Sequence, residues 1–575
     1  MNDQYSVLYP TYQWLVPSQF NIAQACVHRW AENPQEGRRI AIFHENEAGQ
    51  REVWTYSRLS ETTNKLAHGL VKMGVQPGAR VAVIMGQRPE AVAAYLAVFS
   101  VGAVAVPLPS LIGTDGLATR IRDADARVAM VDASSAPDLL QAQLQCPSLA
   151  QIIALGFEHE AIIPWRTLLA RQPAEFKSVA VKSDSPALLL YTPGTTGAPK
   201  GALLAHSALI GGLPGFVAAQ NWFPQKGDVF WSPTEWARGA GLMNALLPSL
   251  YFGQSVVGTL GPFSTTRCLE IMERYRVTNT FLFPTIIKLI MRDVPAPRDH
   301  YRLALRAIMA SGESLDASVF EWCRKALGVT PNEVFGQTEM NAVIGNSHKK
   351  WPAKPGSIGR PYPGHQIAVL DTNGEPCPIG TVGEIALNRY DLHRHPDPAL
   401  FLGYWRNDAA TQSKFSGDWC LTGDLASIDE DGYLWYAGRS DDIFKSSGYR
   451  IGPGEIEDCL RGHAAVSSAA VVPKPDSTRG ALVKAYVVLS SSAKGQDAQD
   501  LQKELQDHVR NRLAPYQTPR EIEFVESLPL TNTGNIRRHV LRAREQQRSG
   551  SRTSTGAGTA TGVINGAVNG PGTRK

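Results

Sequence analysis

Between Thr55 and Val131 the chain alternates strictly between two hydrophobic periods, and this alternation limits the fold more than any other feature. Thr55 to Leu70 carries apolar residues at helical spacing, with Ser57 as the N-cap. Arg80 to Met85 reads as a short buried strand, Pro89 to Ser100 as a helix, and Ala103 to Val106 as a second strand. Leu117 to Ala124 is helical and Val128 to Val131 is a third strand. Strand and helix in strict alternation predict an α/β fold built on mostly parallel sheets.

The texture changes from Pro361 to Trp435. Short β-rich runs (Gln366 to Leu370, Val382 to Leu387, Tyr433 to Tyr436) are separated by turns such as Asn373-Gly374 and Asp431-Gly432. They predict antiparallel strands forming a distorted barrel. After Gly438-Arg439 comes a small α+β unit. It has a helix near Glu455 to Leu460, strands at Ala469 to Val472 and Lys484 to Leu489, and a helix at Leu501 to Arg512. Beyond about Glu545 the chain is rich in Ser, Gly, Thr and Ala, too poor in large apolar residues to order itself. A chain of 575 residues holds more than one domain. The expected divisions are 1–440, 441–545 and a disordered tail, 546–575.

Several function classes are excluded by composition. A net charge of +4 is too small to argue for nucleic acid or an anionic membrane surface. Seven scattered cysteines without a Cys-x-x-Cys pair read as reduced thiols of a cytoplasmic protein, not a disulfide framework or zinc site. Met1 to Tyr5 lacks a secretory pattern. The most apolar stretch, Ala91 to Val106, is too short for a membrane span, is interrupted by Gly102, and ends at Pro107 and Pro109. A buried helix followed by a strand is expected there.

The chemistry begins at Tyr191-Thr192-Pro193-Gly194-Thr195-Thr196-Gly197-Ala198-Pro199-Lys200-Gly201, which follows the apolar strand Ala187-Leu188-Leu189-Leu190. Glycines allow backbone N–H groups to approach an anion, and hydroxyls and a lysine add donors. On composition alone, a phosphate site and a polar turn are both compatible with this string. Downstream, Gly312-Glu313-Ser314 follows the strand-like Leu305 to Met309, and Phe335-Gly336-Gln337-Thr338-Glu339 follows Glu333-Val334. Glu339 supplies a hard oxygen suited to Mg²⁺ between nucleotide phosphates. Leu421-Thr422-Gly423-Asp424 offers an acceptor-only carboxylate. The longest string is Gly438-Arg439-Ser440-Asp441-Asp442-Ile443-Phe444-Lys445-Ser446-Ser447-Gly448-Tyr449-Arg450-Ile451. Taken singly, each of these also reads as an ordinary turn or loop.

The whole set, in this order and spacing, resembles the acyl-adenylate-forming enzymes from about Tyr12 to Leu541. Their phosphate loop is usually Tyr-Thr-Ser-Gly-Thr-Thr-Gly-x-Pro-Lys-Gly. Pro193 stands where the family has Ser, which removes a hydroxyl and a backbone donor and stiffens the loop. The resemblance implies that Thr192, Gly194, Thr195, Thr196, Gly197 and Lys200 hold ATP phosphates. It implies that Gly312, Glu313, Ser314, Phe335, Gly336 and Gln337 lie about the adenine, Thr338 near the α-phosphate, and Glu339 on Mg²⁺. Asp424 matches the ribose ligand, and Arg439 a ribose or phosphate contact. Asp441 matches a hinge. Ser447 is an expected cofactor contact, Gly448 matches the glycine beside the coenzyme A arm, where a Cβ narrows the tunnel, and Arg450 matches a phosphate contact. The implied reaction joins a carboxylic acid to coenzyme A through an acyl-adenylate.

One position breaks the pattern. The family's Pro-x-Thr-x-x-Gly-Lys-Ile-x-Arg places a lysine on the substrate carboxylate and α-phosphate. In Pro529-Leu530-Thr531-Asn532-Thr533-Gly534-Asn535-Ile536-Arg537-Arg538 that residue is Asn535. Losing such a donor costs on the order of 10²–10³ in rate. The asparagine is compatible with an engineered change, with a natural loss leaving a weakened acyl- or nucleotide-binding relative, or with replacement by Arg537 or Arg538. The motifs look most like the acetyl- and medium-chain acyl-CoA synthetase branch. Gly336 stands where acetate-selective relatives close the pocket with Trp, and Trp236, Gly239 and Gly241 are further candidate walls. A medium-chain or aromatic acid is the expected substrate, with coenzyme A or another thiol as acceptor.

Overall fold

The computed structural model describes residues 3–192, 199–442, 444–446, 449–476, 480–493, 495–513, 515–531, 534 and 536–553. The chain divides into two compact units, Met1–Ala437 and Gly438–Lys575.

Two large sheets dominate the first unit. One has eight strands, ordered Gly403–Tyr404, Lys200–Ala205, Pro186–Thr192, Val104–Pro107, Arg80–Ile84, Val128–Asp132, Gln151–Leu155 and Ile162–Pro164. Its pairings are parallel from Pro186–Thr192 onward and antiparallel on the other side. The second has nine strands and runs from Arg360–Pro361 through Asn341–Gly345, Asn332–Gln337 and Ala307–Ser311 to Arg51–Thr55. It too is parallel at its centre and antiparallel at both margins. The expected helix Pro89–Ser100 is apolar on nearly every side and is buried throughout except at Glu90. It contributes to a core cluster that also takes in Val83 of the first sheet and Phe230 and Met309 of the second.

The helix expected from Thr55 runs over Tyr56–Lys72, and its N-cap is Thr55 rather than Ser57: the Thr55 hydroxyl accepts the Arg58 N–H at 3.2 Å. The β-rich region is antiparallel as predicted, ordered Ile367–Leu370, Gly383–Asn388, Trp419–Ile428 and Phe415–Ser416, with Leu434–Arg439 beside Trp419–Ile428. No pairing among the described residues joins its edges into a barrel. The edge strand Phe415–Ser416 has 2 residues, too short to complete a seam.

The second unit packs helices Pro453–Arg461 and Ala498–Arg510 on a sheet of Val466–Asp476, Gly480–Leu489 and Glu521–Phe524. Ile456, Leu460, Val471, Val483, Leu501 and Leu505 form its core. The last helix, Arg538–Thr553, continues past Glu545, where the composition change predicts that order ends. Residues 554–575 lie outside the described ones. Among the described residues no helix is long and apolar enough to cross a membrane.

Candidate active site

The phosphate-loop string joins two antiparallel strands, Pro186–Thr192 and Lys200–Ala205, with Thr192 opposite Lys200. Gly194, Thr195, Thr196 and Gly197 lie outside the described residues. Both ends of the loop are anchored. The Tyr191 hydroxyl donates to the Asp123 carboxylate at 2.6 Å, and the Thr192 hydroxyl to the Lys200 carbonyl at 3.4 Å. Burial and Asp123 together push the Tyr191 phenol well above its usual range. The Lys200 ammonium lies 5.4 Å from the centre of the Tyr404 ring.

A second loop leaves the strand Asn332–Gln337. At Phe335 and Gly336 the pairing with Asn341–Gly345 is irregular. A Cβ at Gly336 would stand 1.9 Å from the Asn341 carbonyl oxygen. The direction a Cβ would take from this glycine is therefore filled by backbone, which gives Gly336 a local packing reason of its own. Gln337 donates its amide to the Thr422 carbonyl (2.7 Å) and to Asp424 Oδ2 (2.5 Å), and accepts Lys414 Nζ at 3.3 Å. Asp424 is buried and also accepts the Tyr436 hydroxyl at 2.9 Å. Glu339 is buried too, and its Oε1 accepts the Tyr404 hydroxyl at 2.5 Å.

The turn Gly312-Glu313-Ser314 follows Ala307–Ser311. Gly312 has φ +95°, and a Cβ there would press on the Phe283 ring at 2.9 Å. Glu313 accepts the Thr285 hydroxyl at 2.7 and 2.8 Å, and burial raises its pKa. One residue further, the Leu315 N–H donates to Glu333 at 3.1 Å. Burial pushes the Glu333 carboxyl up to about 8. Glu333 thus ties the turn to the strand that carries Phe335 to Glu339.

The proposed acyl walls separate sharply. Trp236 is buried against the Gly258 backbone, where a Cβ would lie 2.6 Å from its ring. A Cβ at Gly241 would meet the Glu235 carbonyl oxygen at 2.2 Å, so that glycine also serves backbone packing. At Gly239 the nearest atoms to a Cβ are Leu190 Cδ1 at 3.3 Å and the Thr338 hydroxyl at 4.0 Å. Of these glycines, Gly239 is the one whose missing side chain faces the Thr338 loop.

In the second unit, Arg439 ends the strand Leu434–Arg439 and Asp441 lies in the turn Ser440–Asp442. Arg450 lies on Tyr449–Ile451, opposite Lys445. Ser447, Gly448 and Asn535 lie outside the described residues. Arg538 is committed: it reaches Glu457 at 2.5 and 2.9 Å and Asp442 at 3.0 Å, while Arg542 reaches Asp442 at 2.9 Å. This commitment argues against Arg538 as a replacement for the lysine that the resemblance expects at position 535. Sequence reasoning passed over Tyr436, Lys414 and Glu333. It gave no role to Tyr404 either, since a lone tyrosine, lysine or strand glutamate carries no spacing signal.

These features accompany a broad similarity. The AMP-binding enzyme family matches residues 27–405, and the AMP-binding enzyme C-terminal domain matches residues 455–535. An uncharacterized acyl–CoA ligase of Bacillus subtilis (strain 168) is 35% identical, over 93% of this chain and 97% of its own. The human mitochondrial acyl-coenzyme A synthetase ACSM4 is 33% identical, over 92% and 91%. The solved anthranilate CoA ligase AuaEII, in complex with anthranoyl-AMP, matches with TM-score 0.80 at 26% identity, over 93% of this chain and 99% of that one. A benzoate CoA ligase from Burkholderia xenovorans LB400 matches with TM-score 0.76 at 27% identity, over 91% and 100%. The chain belongs to the acyl-adenylate-forming, AMP-binding enzyme family. Within it the chain is closely related to acyl-CoA synthetases and is an enzyme of the acid–thiol ligase class.

Proposed function

We propose that this chain is an AMP-forming ligase that joins a medium-chain or aromatic carboxylic acid to coenzyme A. A substrate carboxylate oxygen attacks the α-phosphorus of ATP, and the bond to pyrophosphate breaks. The coenzyme A thiol then attacks the acyl carbon of the mixed anhydride and releases AMP. The observation that carries this reading is the joining of half-buried Gln337 and exposed Tyr436 on the buried Asp424 carboxylate, in one network beside Glu339 and Thr338. It presents a carboxylate, an amide and a hydroxyl where a nucleoside needs donors and acceptors.

Asp424 takes the ribose hydroxyls, and Lys200 with Thr192 and Gly194 to Gly197 holds the phosphates. Gly312, Glu313, Ser314 and Phe335 flank the adenine. Arg439 contacts ribose or phosphate, Asp441 is the hinge, Ser447 and Gly448 line the coenzyme A path, and Arg450 meets phosphate. No group of three or more His, Cys, Asp or Glu among the described residues makes a protein cage for a metal. A single buried carboxylate, Glu339, suits Mg²⁺, which is commonly held by one or two carboxylates plus substrate phosphates. When bound, the ion neutralises phosphate charge. Protein residues otherwise position the reactants and stabilise developing charge.

The aromatic or medium-chain preference rests on Gly239 beside Thr338 and on the anthranilate and benzoate ligases among the structural neighbours. A cytoplasmic setting is in keeping with seven free cysteines. Asn535 favours a second reading, a weakened acyl- or nucleotide-binding relative, because Arg538 is held by Glu457 and Asp442. Pyrophosphate exchange against a panel of acids, run on the chain and on Asn535→Lys, separates the two. Exchange with benzoate-like or medium-chain acids supports the ligase; no exchange by either form with any acid rejects it.

A further inference from the structure

Lys200 and Glu339 are far apart in sequence, and the proposed chemistry gives both to the phosphates. A single short segment connects them. Leu402 N–H donates to the Leu203 carbonyl and Trp405 N–H to the Gly201 carbonyl, both at 2.7 Å, so Phe401 to Trp405 is stitched along the strand that begins at Lys200. In the same segment the Phe401 N–H donates to the Glu339 carbonyl at 2.8 Å. Between these anchors stands Tyr404, buried, with its hydroxyl on Glu339 Oε1 and its ring face under the Lys200 ammonium.

We infer that Tyr404 is a positioning residue that sets the Glu339 carboxylate and the Lys200 ammonium in register for the Mg²⁺–triphosphate of ATP. The inference rests on the proposed function and assigns a role to a residue outside the motif positions that would touch the nucleotide. The physical argument has two parts. A phenol donating to one carboxylate oxygen fixes the rotamer of Glu339 and directs its other oxygen, so a metal ligand is preorganised rather than ordered on binding. The ring quadrupole attracts the ammonium at 5.4 Å and biases its position without consuming its N–H donors. Ordinary core packing explains the buried ring but not a hydroxyl aimed at the carboxylate.

The test uses Tyr404→Phe, Glu339→Gln and the double variant of the full chain, with ATP binding measured by calorimetry across a Mg²⁺ titration. Binding rather than turnover is read, because Asn535 slows adenylation in the proposed scheme. For Tyr404→Phe the Mg²⁺ concentration giving half-maximal tightening of ATP should rise about tenfold, the usual scale of one hydrogen bond to a charged group. In the double variant the further loss beyond Glu339→Gln should be small, showing that the hydroxyl acts through that carboxylate. Magnesium-free ATP should bind Tyr404→Phe as it binds the parent, which a general loss of structure would not allow. An unchanged Mg²⁺ dependence in Tyr404→Phe, or full additivity in the double variant, overturns the inference while leaving the ligase reading standing. Failure of the parent chain to bind ATP with or without Mg²⁺ removes that reading itself.

Discussion

At Glu333 burial works against charge. Its carboxyl lies in the core, accepts the Leu315 N–H, and titrates at about 8 instead of 4.5. Between pH 4.5 and 8 the folded protein therefore holds a proton that the unfolded chain gives up. Rising pH then favours unfolding across this window, and the stabilising contribution is complete only below it. Glu333→Gln keeps an acceptor for Leu315 but cannot ionise. Its melting temperature relative to the parent should rise between pH 5 and pH 8; a constant difference across that range counts against a buried neutral acid. Gly336 allows a second prediction at this scale. Gly336→Ala forces a methyl into the Asn341 carbonyl and should destabilise by about 1–3 kcal/mol, the usual range for overpacking. Gly239→Ala meets only the flexible end of Leu190, and its urea midpoint should stay close to the parent's. The motif pointed to Gly336, but the reason for a glycine there was illegible. The Asn341 carbonyl that an added Cβ would meet at 1.9 Å belongs to a strand pairing that one sequence does not record.

Elements with strong periods were the most legible. Pro89–Ser100 appears with the expected bounds, and the parallel order of the strands around it follows from the alternation. The cap of Tyr56–Lys72 was misread because Thr55 and Ser57 are both good caps, and only the backbone direction of Thr55 chooses between them. The docking of Arg538–Thr553 was also hidden: it depends on one buried cation with scattered partners. Lys484 Nζ lies 2.9 Å from Glu545, 2.8 Å from Glu523 and 2.9 Å from Glu521, and the Lys484 and Glu545 side chains are 1% and 0% exposed. Removing one partner of a buried ion pair typically costs about 3–5 kcal/mol, because the remaining charge stays desolvated. Lys484→Met should thus destabilise the Gly438–Lys575 unit by roughly this amount. Hydrogen exchange should show earlier opening of Arg538–Thr553 and Gly480–Leu489. Protection unchanged in both would mean that apolar contacts such as Leu541 against Tyr486 hold the helix.

Across the whole molecule, the order of motifs carried more functional information than any one of them. Lys200, Glu339 and Asp424 sit on separate strands or loops, and only the fold links them through Tyr404 and Gln337. Under the proposed function, Asn535 puts the two half-reactions under different demands. In the proposed scheme the missing lysine acts while the carboxylate meets the α-phosphate, whereas thioester formation begins from an adenylate already made. A cation placed at 535 stabilises charge in the first step alone, so Asn535→Lys should speed pyrophosphate exchange by about 10²–10³. Acyl transfer to coenzyme A from a supplied acyl-adenylate should change by no more than about twofold, because an interaction confined to one transition state leaves the other barrier in place. Stopped-flow measurement of the two halves on parent and variant makes the comparison directly. An equal gain in both would show that residue 535 acts through folding or through the arrangement of its loop, and would remove charge stabilisation as the explanation.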